Sequence, residues 1–132
     1  NFDAIIWTFR NNATVSRNPN MYGWVGTKNN HTADFISCKK SISENPVSDH
    51  AIVGIFWFKS ANIFFNYGKE LIKKDIRINN EFYIDEMMNL LINDGLKVGI
   101  FEVEKYICWG TPDDLKTYNY WKKFFEEDYG IQ

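Results

Sequence analysis

Cysteine, histidine and proline are scarce in this 132-residue sequence, which has two, two and three of them. Cys38 and Cys108 are too few for the disulfide framework of a small secreted domain, so a reducing, cytoplasmic setting is the simpler expectation. The glycosylation-like triplets at Asn12 and Asn30 are then coincidental. With His31 and His50 the cysteines offer four nominal zinc ligands, but no pair has the short spacing of a structural zinc site, and no metal site is expected from them. An excess of positive charge is also lacking. Fifteen basic residues against seventeen acidic ones leave a net charge of -2, and no basic tract is long enough to track a phosphate backbone, which argues against nucleic acid as a partner. Long apolar runs are missing too. The longest, residues 51–58, falls far short of the roughly 20 residues that cross a bilayer, and the polar start Asn1-Phe2-Asp3 is no signal peptide, so no membrane partner is expected.

What is present is core material. Hydrophobic residues make up 45% and aromatics 17% of the chain, well away from a disordered composition. A chain of this length fits a single domain that buries roughly two-thirds of its unfolded surface.

Pattern then places the elements. Residues 4–9 form a short apolar run suited to a buried strand. A core strand so near residue 1 suggests a piece of a longer protein. Residues 11–20 are a polar loop. Residues 22–27 and 34–39 are strand-like and flank Lys28-Asn29-Asn30-His31, whose asparagines tolerate left-handed backbone, a hairpin signal. After a polar loop over 40–50, residues 51–58 read as a strand apolar on both faces, as in the middle of a covered sheet. Ile63, Tyr67 and Leu71, with Phe64 and Ile72 beside them, define the inner face of a helix over 60–74. Asn79 or Asn80 can cap a second helix, with Ile84, Met87, Met88 and Leu91 inward, that ends at Gly95. Residues 97–109 return as one or two strands. Thr111 as N-cap, Pro112 at the first helical position and Asp113 and Asp114 against the helix dipole fix the start of a last helix reaching about Asp128. Its length of about 25 Å would let it cross the sheet, burying Leu115, Tyr118, Trp121 and Phe125. The expected fold class is α/β, a mixed sheet covered by helices.

Four segments carry a resemblance. Tyr106 to Leu115, with Gly110-Thr111-Pro112-Asp113-Asp114-Leu115, resembles the Trp-Leu-Asp-Thr-Gly-Thr-x-x-x-Leu segment of sugar-1-phosphate nucleotidyltransferases. Pro19, Tyr22, Gly23 and Val25 are similar to that family's Pro-x-x-Tyr-Gly-x-Val strand, residues 51–58 to its Ala-x-x-Gly-Ile-Tyr-x-Phe strand, and Asn80-Glu81-Phe82-Tyr83 to the helix start that follows. The order is the family's, across nearly the whole chain. The resemblance implies the second half of a Rossmann-like nucleotidyltransferase domain, with a sugar phosphate and an NTP as partners of the full-length protein and self-association left open. It implies substrate-binding roles for Gly23 and Ile52, and for Lys39 and Lys40 in place of a Glu-Lys-Pro motif whose glutamate holds the sugar hydroxyls and whose lysine meets the sugar phosphate. The resemblance places the family's lysine at Lys40, which is therefore expected to meet the phosphate; adjacent strand side chains point to opposite faces, so Lys39 is expected to contribute less. Magnesium is the cofactor implied for the full-length enzyme. Two departures stand out: Lys39 replaces a glutamate, and Cys108, expected as a structural residue in an apolar strand, stands where many members have a metal-binding aspartate.

The family's Gly-rich phosphate loop and its first metal aspartate are not in these residues. The expectation is therefore a sugar-binding half, inactive alone, of an enzyme that makes nucleotide sugars. The alternatives are a non-catalytic binding or regulatory module on the same fold and, more weakly, a glycosyltransferase-like domain. No catalytic residue is assigned.

Overall fold

A computed structural model describes residues 1–130. Its centre is a five-stranded mixed sheet in the order β3-β2-β4-β1-β5. The strands are β1 (Ala4–Phe9), β2 (Gly23–Gly26), β3 (Phe35–Cys38), β4 (His50–Phe58) and β5 (Val98–Glu102). Only β1 and β5 run parallel; the other pairs are antiparallel. The helices are α1 (Ala61–Lys73), α2 (Ile84–Asn93) and α3 (Pro112–Tyr129). The α/β class and its mixed sheet agree with the sequence pattern.

Helices α1 and α2 lie on one face of the sheet. Ala4, Ile6, Val25, Ile36, Ile52 and Val98 from the strands pack there with Leu71, Met87, Met88 and Leu91. Asn89 ties α2 to the outer edge of β3, its Oδ1 accepting from Ile36 N–H at 2.7 Å and its Nδ2 donating to Ile36 O at 2.9 Å. That occupies backbone groups an edge strand would otherwise leave open. At the other edge the β2–β3 connection reaches across to β5, where Ile100 N–H meets His31 O at 3.0 Å and Ala33 N–H meets Val98 O at 2.9 Å.

The second face is covered at one end only. Phe9, Val15, Trp24 and Ala51 form a smaller core there, with Tyr106 stacked on Phe9 at 4.0 Å. Further along the same face β1, β4 and β5 bring Ile5, Trp7, Ile55, Trp57 and Phe101 together, and Ile55, Trp57 and Phe101 are 52%, 42% and 53% exposed. The expectation that β4 is covered on both faces is thus corrected: α1 and α2 pack on one side, and among the described residues no helix lies over this end of the other.

Other expectations shift for local reasons. Residues 11–20 are not a plain loop but contain 3-10 turns at Ala13–Arg17 and Pro19–Met21, and Val15 is buried. Asn79 and Asn80 do not cap α2. Both take left-handed backbone, with φ of 51° and 66°, in a turn closed by the Ile78–Glu81 bridge, so the helix starts only after Tyr83. In α1, Ile72 is 61% exposed and Leu71 carries the burial. Of residues 97–109, only β5 is a strand; Tyr106 to Trp109 is irregular. The start of α3 is as expected, a capping box in which Thr111 Oγ1 accepts from Asp114 N–H at 3.2 Å and Asp114 Oδ2 accepts from Thr111 N–H at 3.1 Å. Its course is not. Leu115 and Trp121 remain 44% and 49% exposed, because α3 flanks the 106–108 segment and the turn at Ala13–Arg17 around a groove instead of crossing the sheet.

Candidate functional site

A cleft of about 250 Å³ opens where the start of β2, the end of β3, the middle of β4, the start of α2 and the 106–110 segment converge. Gly23, Lys39 and Ile52 line it, together with Val53, Gly54, Tyr83, Asp85 and Cys108. Strand β4 is bent into this position. Its register against β1 slips between Ile6 and Thr8, and Gly54 within the slip has φ +97°. A side chain there would be strained, so glycine lets the bulge form. Ile52 and Val53, just before the glycine, line the cleft.

Gly23 has a different reason to be glycine. A methyl group on it would stand 2.0 Å from Asp85 Oδ2 and 3.0 Å from Ile52 Cδ1. The space above the β2 backbone is therefore filled by the Asp85 carboxylate, which reaches over from the first turn of α2.

Strand alternation does not carry through Lys39 and Lys40. Strand β3 ends at Cys38, and Lys39 takes left-handed backbone with φ 57°, so the two-residue alternation stops one residue before the pair. Lys39 lines the cleft, with its Nζ donating to Met21 O and lying 5.5 Å from the Tyr83 ring centroid. Lys40 is exposed and does not line the cleft. The structure thus brings three of the four candidate residues together and leaves Lys40 outside.

Asp85 was not a candidate in the sequence. Burial raises its carboxyl pKa, and the nearby Lys39 partly offsets this. Beside it the Cys38 thiol is pushed up to about 12, first by burial and then by the Asp85 and Glu86 charges. The Tyr83 hydroxyl donates to Glu81, and that bond is the main reason its pKa rises to about 12. In sequence, Asp85 reads only as one of two acids in a helix first turn, where acids are common. Nothing local announces that it reaches Gly23.

Cys108 does not sit in an apolar strand. It is half-buried in the 106–110 segment, faces the cleft, and its Sγ accepts from Gly110 N–H at 3.3 Å. The residues near it do not fit magnesium, a hard cation that takes oxygen ligands. The thiol is a soft donor, the nearby Asp114 is committed to the α3 cap, and no group of three metal-capable side chains occurs among the described residues. The same cap occupies the helix start that could otherwise receive an anion.

No family model matches this sequence, and no curated protein matches it. Solved structures do. The chain is similar to a nucleoside-diphosphate-sugar pyrophosphorylase from Vibrio cholerae, with a TM-score of 0.69 and 17% identity over 89% of this chain and 46% of that one. It is also similar to a CMP:2-keto-3-deoxy-manno-octonic acid synthetase complexed with CTP, with a TM-score of 0.51 and 14% identity over 92% of this chain and 49% of that one. The mixed sheet and its helices thus share the fold of about half of each of these two structures. The chain spans about half the length of these structures, and at such identities the likeness is one of fold alone. No described helix is long and apolar enough to cross a membrane.

Proposed function

We propose that this chain is the sugar-phosphate-binding half of a nucleotidyltransferase that makes nucleotide sugars. In the reaction an oxygen of the sugar phosphate attacks the α-phosphorus of an NTP, the new P–O bond gives the NDP-sugar, and pyrophosphate leaves. The observation that carries the reading is the convergence of Gly23, Ile52 and Lys39 on one cleft within a nucleotidyltransferase fold. Lys39 is the cation placed to receive the sugar's phosphate; its amine is held by Met21 O and the Tyr83 ring. These 132 residues contain no glycine-rich phosphate clamp, and transfer of this kind depends on such clamps and on positioned cations. The chain by itself is therefore assigned binding, with the magnesium of the full-length enzyme held elsewhere.

Calorimetry of the protein against glucose, mannose and galactose 1-phosphates tests the reading, with pyrophosphate release from each NTP followed in parallel. Binding of a sugar phosphate with no turnover is expected, and binding of none overturns the proposal. A second reading, a binding or regulatory module without catalysis, is favoured by Cys108 at the aspartate position. It predicts no pyrophosphate release even from the full-length protein.

A further inference from the structure

In the resemblance described above a glutamate holds the sugar's hydroxyl groups, and Lys39 stands in its place. A cleft with cations alone would hold a phosphate and discriminate poorly among sugars. The carboxylate is nevertheless present, contributed from a different element. Asp85 projects from the first turn of α2 across β2, its Oδ2 within 2.0 Å of where a Gly23 methyl would be. It forms part of the cleft wall with Lys39, Ile52 and Tyr83. An ionised carboxylate has about four lone-pair sites. Among the described residues the Asp85 amide and the Cys38 thiol, a weak donor, are the groups that lower the Asp85 carboxyl pKa by hydrogen bonding. The other acid of the same turn differs: Glu86 Oε2 already accepts from Asn89 Nδ2 at 3.3 Å.

We propose that Asp85 is the hydroxyl-recognising carboxylate of this site, accepting hydrogen bonds from the ring hydroxyls of a sugar whose phosphate rests on Lys39. The assignment rests on the sugar-phosphate reading of the cleft. It accounts for two features together. Gly23 is glycine because the carboxylate occupies the volume above it, and the loss of the motif glutamate at Lys39 is balanced by an acid from α2. Specificity then lies between α2 and the β2–β3 hairpin, not within one strand-end motif. The ligand class is a neutral-ring sugar phosphate with at least one free hydroxyl directed toward α2.

The test compares wild type and Asp85→Asn by calorimetry, using whichever of the three hexose 1-phosphates binds tightest, its 2-, 3-, 4- and 6-deoxy analogues, and inorganic phosphate. A hydrogen bond to a charged acceptor corresponds to roughly a ten- to hundredfold change in affinity. Wild type should lose about that much for one particular deoxy position, while Asp85→Asn should bind the parent sugar that much more weakly and be indifferent to removal of the same hydroxyl. Inorganic phosphate should bind both proteins alike and be weakened by Lys39→Gln. Unchanged deoxy preferences in Asp85→Asn overturn the assignment while leaving sugar-phosphate binding intact. So does an equal loss for sugar and inorganic phosphate, which marks a purely structural carboxylate. If wild type binds no hexose phosphate, the reading beneath the assignment fails as well. Melting temperatures are recorded for each variant, and if Asp85→Asn does not fold, the same deoxy series on Asp85→Ser decides the matter.

Discussion

Gly23→Ala is the substitution whose outcome the geometry defines most sharply. Position 23 does not have the positive φ that glycine alone accepts readily, so the backbone itself admits alanine, and removing a glycine from a strand would on its own favour folding by about 0.4–1 kcal/mol. Against this stands the contact at 2.0 Å with Asp85 Oδ2, supported by Asp85 Cγ at 3.1 Å and Ile52 Cδ1 at 3.0 Å. The carboxylate must swing away, and overpacking of this kind typically costs about 1–3 kcal/mol. Less the glycine gain, the net loss is about 0–2.6 kcal/mol, and at roughly 4 °C per kcal/mol for a domain of this size the melting temperature should fall by up to about 10 °C. In an Asp85→Ser background the obstructing carboxylate is gone, and Gly23→Ala should be neutral or slightly stabilising. The difference between the two backgrounds is a coupling energy of about 1–3 kcal/mol, within the range for residues in contact. Circular dichroism melts of the four proteins measure it. Equal penalties in both backgrounds would refute the claim that Asp85 is what fills the space above Gly23.

Four further outcomes are expected. His50 is buried, its Nδ1 2.9 Å from Thr8 Oγ1, and its pKa is lowered first by burial and then by Arg10, against smaller opposing effects of Glu102 and Asp49. A lowered imidazole pKa means that the unfolded state binds the proton more readily, so stability is present above the unfolded value of about 6.5 and lost as pH falls through the folded one; the melting temperature should drop from pH 7 toward 5, with a shallower slope in His50→Asn. Cys38, buried with its pKa near 12, should react with a thiol reagent at pH 8 at least about a hundredfold more slowly than half-buried Cys108, because the thiolate is the nucleophile; mass spectrometry of the labelled protein reads this. Gly54→Ala, at φ +97°, should destabilise by about 1 kcal/mol or more in a urea melt. The uncovered face with Ile55, Trp57 and Phe101 should bind an apolar dye or drive self-association of the 132-residue protein, and Trp57→Lys should reduce both in fluorescence and sedimentation measurements.

The sequence by itself determined the elements and their order. Apolar periodicity located β1, β4, α1 and α2, and the Thr111-Pro112-Asp113-Asp114 run gave the cap of α3 as the structure has it. These signals are legible because they arise within one turn or one strand, where neighbours in sequence are neighbours in space. Gly23, Lys39 and Ile52 were nameable as candidates through the order of four motifs, but their meeting in one cleft was not. Tertiary structure alone decided what depends on distant partners. Trp57 and Trp121 have the apolar pattern of buried residues yet remain exposed, since periodicity says which face is apolar and not whether anything covers it. The left-handed turn at Lys39 ended strand alternation before the two lysines, and Lys39, not Lys40, lines the cleft. Asp85 reached Gly23, 62 positions earlier in the chain, only because α2 packs on the β2–β3 hairpin, and no local pattern encodes a contact made by two elements whose docking is set by the core between them.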